Sequence, residues 1–178
     1  MRARLSIALT GLLAGPAFAA DLHVGVEVPT LKVAEYHRPY VAVWLEREDQ
    51  SVAANLAVWY QQKEGKGEGG KVEPGTKWLA DLRQWWRRAG RTATLPIDGI
   101  SGATRPAGLH KLEFDDKAKA SPLANLPAGS YKLVVEAARE VGGREVVRIP
   151  FQWPPEKPAH LDAKGDAELG AVTLDVAP

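Results

Sequence analysis

His23-Val24-Gly25-Val26-Glu27-Val28 sets a valine at every second position and stops at Pro29. A period of two marks a strand with one face buried and one face wet. Tyr40-Val41-Ala42-Val43-Trp44-Leu45 comes next and is apolar on both faces, so it reads as a central strand. Val52 to Tyr60 forms a third. Further on, Leu109 to Phe114 alternates with Leu112 and Phe114 on one face, and Tyr131, Leu133, Val135 and Ala137 share a face in the following run. Gly142-Gly143 is a two-residue turn signal, after which Val147, Ile149, Phe151 and Trp153 share a face. A Pro-rich link over 154–166, with Pro154, Pro155 and Pro158, leads to a last strand around Gly170 to Val176. About seven short strands beside a single helix predict a mainly β chain, an immunoglobulin-like antiparallel β-sandwich forming one domain over residues 21–178.

The one helix is predicted over Lys77 to Ala89. Trp78, Leu79, Leu82, Trp85, Trp86 and Ala89 fall on one helical face, with Thr76 as N-cap and Gly90 as the stop beyond the C-terminus. Arg87 and Arg88 suit the negative end of the helix dipole. So Trp-rich a helix is expected to lie across a sheet or over the open end of the sandwich. The segment 61–75, rich in Gly, Lys and Glu, reads as an exposed loop.

The chain has 178 residues, 45% hydrophobic and 25% charged, with no cysteine and a formal charge of +1. This composition argues against disorder and collagen, and the lack of cysteine excludes disulfides, thioether-bound haem and thiolate-held iron–sulfur clusters. The beginning of the chain reads as a leader. Arg2 and Arg4 precede the apolar run Leu5 to Leu13, and Ala17-Phe18-Ala19 gives the small-x-small pattern of a signal-peptidase site. Residues 1–20 are therefore expected to be a cleaved signal peptide, too short for a membrane span. Without Arg2 and Arg4, 21 basic residues face 22 acidic ones. Such a balance offers no basic surplus for nucleic acid, and the mature chain is expected to be exported, periplasmic and not membrane-embedded.

One segment between helix and later strands carries chemistry: Asp98-Gly99-Ile100-Ser101-Gly102-Ala103-Thr104. Its plain reading is two tight turns, at Asp-Gly and Ser-Gly. The same residues resemble the acceptor motif of FAD:protein FMN transferases, Asp-x-x-Ser-Gly-Ala-Thr/Ser, in which FMN is joined through its phosphate to the last hydroxyl. Asp98, Ser101, Gly102, Ala103 and Thr104 match every fixed position. The resemblance implies a covalent FMN on Thr104, a flavin transferase as partner, and a motif shared with flavinylated subunits of ion-pumping NADH:quinone reductases. Within it Thr104 supplies the hydroxyl, Gly102 and Ala103 keep the approach free of bulk, and Gly102 permits backbone conformations other residues avoid. Ser101 can donate to phosphate oxygens, Asp98 serves the transferase during attachment, and Arg105 screens the remaining phosphate charge. A tether of this kind keeps a cofactor from being lost after export and leaves its redox ring unmodified.

A broader resemblance rests on Tyr36 to Trp44, Lys77-Trp78-Leu79, Trp85-Trp86-Arg87, Asp98 to Pro106, and Glu136 to Glu140 through Pro150 to Pro154. These pieces are similar to the periplasmic family known as domain of unknown function 2271, which is associated with flavin transferases and with membrane proteins bearing PepSY domains. It implies an extracytosolic electron carrier rather than a turnover enzyme, with a PepSY-type membrane protein as a partner. Leu109 to Asp116 and Leu126 to Tyr131 are also similar to the immunoglobulin-like module of flagellar hook-capping proteins, although Phe114-Asp115-Asp116 stands where that module carries Trp-Asp-Gly.

Aromatic residues are the natural neighbours of a flavin ring. Trp85 and Trp86, about 100° apart on a helix, are candidates, as are Tyr40 and His37, with Arg38 and Arg139 for the phosphate or the electron-rich edge of the ring. Core packing competes for each tryptophan, and a surface role for each arginine. The histidines, His23, His37, His110 and His160, show no metal-ligand spacing. No nucleophile elbow or phosphate loop is present. The competing class is a cofactor-free immunoglobulin-like binding or assembly module, whose Trp-rich helix would be core or interface.

Overall fold

Alternation in β1 (Asp21–Val28) buries Leu22, Val24, Val26 and Val28. In the computed structural model, which describes residues 20–62, 65–66 and 72–178, this strand lies inside a four-stranded sheet. The predicted leader lies outside the described residues except for Ala20. No described helix is long and apolar enough to cross a membrane. The strands that follow are β2 (Tyr40–Glu46), β3 (Val52–Tyr60), the two-residue pair β4 (Gly65–Lys66) and β5 (Val72–Glu73), and β6 (Ser101–Ala103). After them come β7 (Gly108–Asp115), β8 (Gly129–Ala138), β9 (Arg144–Trp153), β10 (Ala159–Lys164) and β11 (Ala171–Ala177). One sheet has the order β10-β11-β1-β7 and the other β6-β3-β2-β8-β9.

The two sheets enclose one apolar core. Leu22, Val24 and Val26 of β1 with Val172, Leu174 and Val176 of β11 meet Val41, Val43 and Leu45 of β2 and Leu133, Val135, Ile149 and Phe151 of β8 and β9. The strand read as apolar on both faces is indeed buried on both. Ala42 and Trp44, on the other side of β2, join Val58, Tyr60, Val134 and Ala138 in a second cluster. Leu79, Leu82 and Trp85 cover that cluster, so the Trp-rich segment lies across the outer face of the five-stranded sheet.

The chain is mainly β with two sheets, as predicted, and several details differ. The predicted continuous helix is a 3-10 segment, Gly75–Asp81, followed by a short α1 (Arg83–Arg88) and a 3-10 turn, Gly90–Thr92. Thr76 lies within the first segment and caps nothing. The break has a cause in the sheet beneath. The buried Glu136 carboxylate of β8 accepts the backbone N–H groups of Gln84 and Trp85 at 2.9–3.1 Å and so fixes a new helix start. The Pro-rich link contains β10, an edge strand paired with β11 along its length. Strand β6 runs parallel to β3, so the second sheet is not wholly antiparallel. The 61–75 loop includes the β4–β5 pair.

The β8–β9 connection also departs from expectation. Gly142 and Gly143 do not take left-handed backbone angles; Val141 does, at φ 53°. Gly142 is needed for space instead. A Cβ there would lie 2.4 Å from the Arg139 guanidinium carbon.

Candidate functional site

The motif divides into a turn and a strand. Ile97-Asp98-Gly99-Ile100 is a β-turn closed by the Ile100 N–H donating to the Ile97 carbonyl at 3.2 Å, with Gly99 at φ +68° as the third residue requires. The second predicted turn is absent, because Ser101–Ala103 is strand β6. Ser101 Oγ accepts the Ile97 N–H at 2.9 Å and locks the turn to the strand. Gly102 has no left-handed angle; it lies against the Trp59 indole and presents its carbonyl to the Gln62 amide at 3.2 Å. Arg105 is exposed and stacks its guanidinium over Trp59 at 5.4 Å. Thr104 follows β6 and is half-buried.

Thr104 opens onto a cleft of about 930 Å³. The sheet topology explains why. Where β2 begins, β3 and β8 end and β9 begins, and β6, parallel to β3, ends at the same margin. Side chains from all these termini therefore gather around one opening: Tyr40, Gln61, Thr104, Ala138 and Arg144. The β1–β2 connection adds Tyr36, His37 and Arg38, and the helical segment adds Trp78, Asp81 and Arg83.

The wall is held firmly in places. Tyr40 donates its phenol proton to the Gly75 carbonyl at 3.0 Å. Burial raises that phenol above its ordinary value, against a smaller lowering from the Gln61 backbone. Arg139, with 6% of its side chain exposed, donates through Nε and Nη2 to Glu168 at 2.8 and 3.0 Å. Those bonds raise its already high pKa, so it stays a cation. Glu168 also accepts the Gly143 N–H at 2.7 Å, which pins the β8–β9 turn. The third nitrogen, Nη1, is buried and has no partner among the described residues. His37 sits between Glu35 at 3.0 Å and Glu140 at 3.5 Å.

Of the residues singled out from sequence, the structure brings Thr104, Tyr40, His37, Arg38 and Arg139 to this one cleft. Asp98 is exposed on a different surface depression, together with Ile97 and Ile100. Trp85 is fully buried, donating its indole N–H to Asn55 at 2.8 Å, and belongs to the core rather than to any ligand wall. Trp86 is half-buried against the same cluster and away from the cleft lining. Trp78, assigned from sequence to the buried helical face, is 46% exposed and lines the cleft beside Thr104. A 3-10 segment turns every three residues rather than every 3.6. That change of phase carries Trp78 outward. Tyr36, Asp81, Arg83, Glu140, Val141 and Arg144 are among the other cleft residues that sequence reasoning did not select.

Residues 21–171 match the family model described as "Predicted periplasmic protein (DUF2271)". No curated protein and no solved structure matches the chain.

Proposed function

The chain belongs to the family of predicted periplasmic proteins DUF2271, and from that footing we propose that it is an exported flavoprotein with FMN joined to Thr104, acting as an electron carrier. The observation that carries this reading is the position of Thr104: the last residue of the attachment motif stands half-buried at a cleft whose volume, about 930 Å³, is in the small-molecule range. The lining suits the group. Tyr40 and His37 line it beside Thr104 with rings for a planar group, and Arg139, whose buried Nη1 has no partner among the described residues, offers a guanidinium donor for anionic oxygens.

Attachment needs no redox step. The Thr104 oxygen forms a bond to the flavin-side phosphorus of FAD, the pyrophosphate P–O bond breaks, AMP leaves with the bridging oxygen, and the hydroxyl proton passes to a base of the transferase. Bound flavin supplies reversible uptake of one or two electrons. The chain's own residues then hold and shelter it: Thr104 tethers, Tyr40 and Arg139 keep the wall rigid, and the aromatic rim excludes water. The immunoglobulin-like description of the two-sheet fold belongs to the same reading.

Intact mass and visible spectra of protein made with and without a co-expressed flavin transferase test it. The expected result is a gain of one FMN less one water, lost in Thr104→Ala and Thr104→Val and retained in part in Thr104→Ser. A colourless protein of unchanged mass beside an active transferase overturns the reading and favours the cofactor-free module.

A further inference from the structure

Five large apolar side chains stand exposed among the described residues: Val33, Tyr36, Trp78, Leu109 and Val141. Three of them, Tyr36 at 39%, Trp78 at 46% and Val141 at 77%, belong to the rim of the cleft beside Thr104. Val141 is the most telling. It is β-branched, held at φ 53° and packed against little, at a turn position where Asn or Gly would be cheaper. A strained apolar residue with most of its surface in water gains little from burial in the fold, which points to a use outside the molecule.

The charges around it narrow what it meets. Arg38, Arg83 and Arg144 are exposed on the same rim. Beyond it, Arg87, Arg91 and Arg148 are also exposed, and α1 contains no carboxylate. The opposing acids are Asp81 and Glu140 on the rim, the latter 3.5 Å from His37, and the buried Glu136, 3.7 Å from Arg144 Nη1. Apolar tips and aromatic rings flanked by arginines form the pattern that enters a lipid headgroup layer: Trp and Tyr favour the interface, and the cations meet lipid phosphates.

We propose that this rim docks onto an anionic membrane surface, with Val141, Trp78 and Tyr36 entering the headgroup layer and Arg38, Arg83 and Arg144 contacting lipid phosphate. Docking in this pose turns the Thr104 cleft toward the bilayer. The proposal stands on the rim and not on occupancy of Thr104, so it is tested with the Thr104→Ala chain, which separates failure to dock from failure to carry flavin.

The measurement is co-sedimentation with vesicles of phosphatidylglycerol and phosphatidylcholine, against vesicles of phosphatidylcholine alone, at low and high salt. Retention is expected on the anionic vesicles only, falling with salt and unaffected by millimolar inorganic phosphate. Each arginine is worth about fivefold at low salt, so Arg38→Gln with Arg83→Gln weakens binding by about twenty-five-fold. Trp78→Ala and Val141→Asn, both surface changes, weaken it further at unchanged charge. No retention of the parent chain on anionic vesicles at low salt overturns the proposal. So does retention that depends on the arginines and is indifferent to Trp78 and Val141, which would mark the patch as a seat for an acidic protein.

Discussion

Trp78 and Trp85 belong to one short segment yet sit at 46% and 0% exposure. Trp85 fills the space between α1 and the sheet and has its indole N–H satisfied by Asn55. Trp85→Ala should therefore cost about 3–5 kcal/mol in chemical denaturation, whereas Trp78→Ala should stay within about 0.5 kcal/mol. Val141→Asn should move the other way and stabilise by about 1 kcal/mol, because Asn tolerates the left-handed conformation that a β-branched residue resists. A destabilised Val141→Asn protein would mean the turn is held by packing of that side chain. These residues also show what sequence could and could not reveal of the site. Thr104, Tyr40, His37, Arg38 and Arg139 were legible, through a motif or through their place at the end of a strongly patterned strand. Trp78 was not, because a continuous helix would bury it, and the helix is interrupted from outside by a carboxylate far away in sequence. Val141 was hidden by the two glycines beside it, which advertise a flexible turn while Gly142 serves to admit the Arg139 guanidinium and Gly143 lies against the Glu168 carboxylate.

That carboxylate, Glu136, is a matter of elements rather than of side chains. It is fully buried on β8, accepts two backbone N–H groups at the start of α1 and has Arg144 Nη1 at 3.7 Å. It joins the sheet to the segment that covers it. Glu136→Leu leaves both N–H groups unsatisfied and is expected to cost roughly 2–3 kcal/mol, with faster hydrogen exchange at the Gln84 and Trp85 amides. Glu136→Gln keeps one acceptor oxygen and should cost less. Unchanged exchange at those amides in Glu136→Leu would show that α1 starts without help from the sheet. Strands with one fully buried face, such as β1, β8 and β9, were legible because burial imposes the alternation. The two-sided strand β2 was legible for the same reason, twice over. Strand β10 was not: it is an edge strand following prolines, with no residue fully buried along it, so its pattern is faint. Strand β6 is three residues long and its pairing is parallel to a strand some forty positions earlier, a relation that no local pattern encodes.

At the scale of the molecule, the two sheets are tied together beside the cleft by carboxylates. Glu145, at the start of β9, accepts the backbone N–H groups of Asp166, Ala167, Glu168 and Leu169, in the loop between β10 and β11. That loop in turn sends Glu168 to Arg139 in the cleft wall. Burial alone would raise the Glu145 pKa, yet four N–H donors outweigh it and hold the carboxyl below its ordinary value of 4.5. A group depressed in the folded state stabilises the fold above its unfolded pKa and loses that contribution as pH falls through the folded value. Acid should therefore loosen the 166–169 loop before the rest, freeing Glu168 and with it the cleft wall. Across the molecule His160 has the opposite sign. Its hydrogen bond to Asp175 raises its pKa above 6.5, so its small, solvent-screened contribution is complete below that value and fades as pH rises through the raised one. Stability should peak between about pH 4.5 and 6.5, with a steeper fall on the acid side. Hydrogen exchange of the Asp166–Leu169 amides, followed from about pH 6 down to pH 3, should show local opening in the parent chain. In Glu145→Gln, which keeps one acceptor oxygen without the charge, the same amides should exchange faster at the higher pH and show little further change on acidification. Equal acid sensitivity in the two proteins would place the acid-labile tie elsewhere than at Glu145.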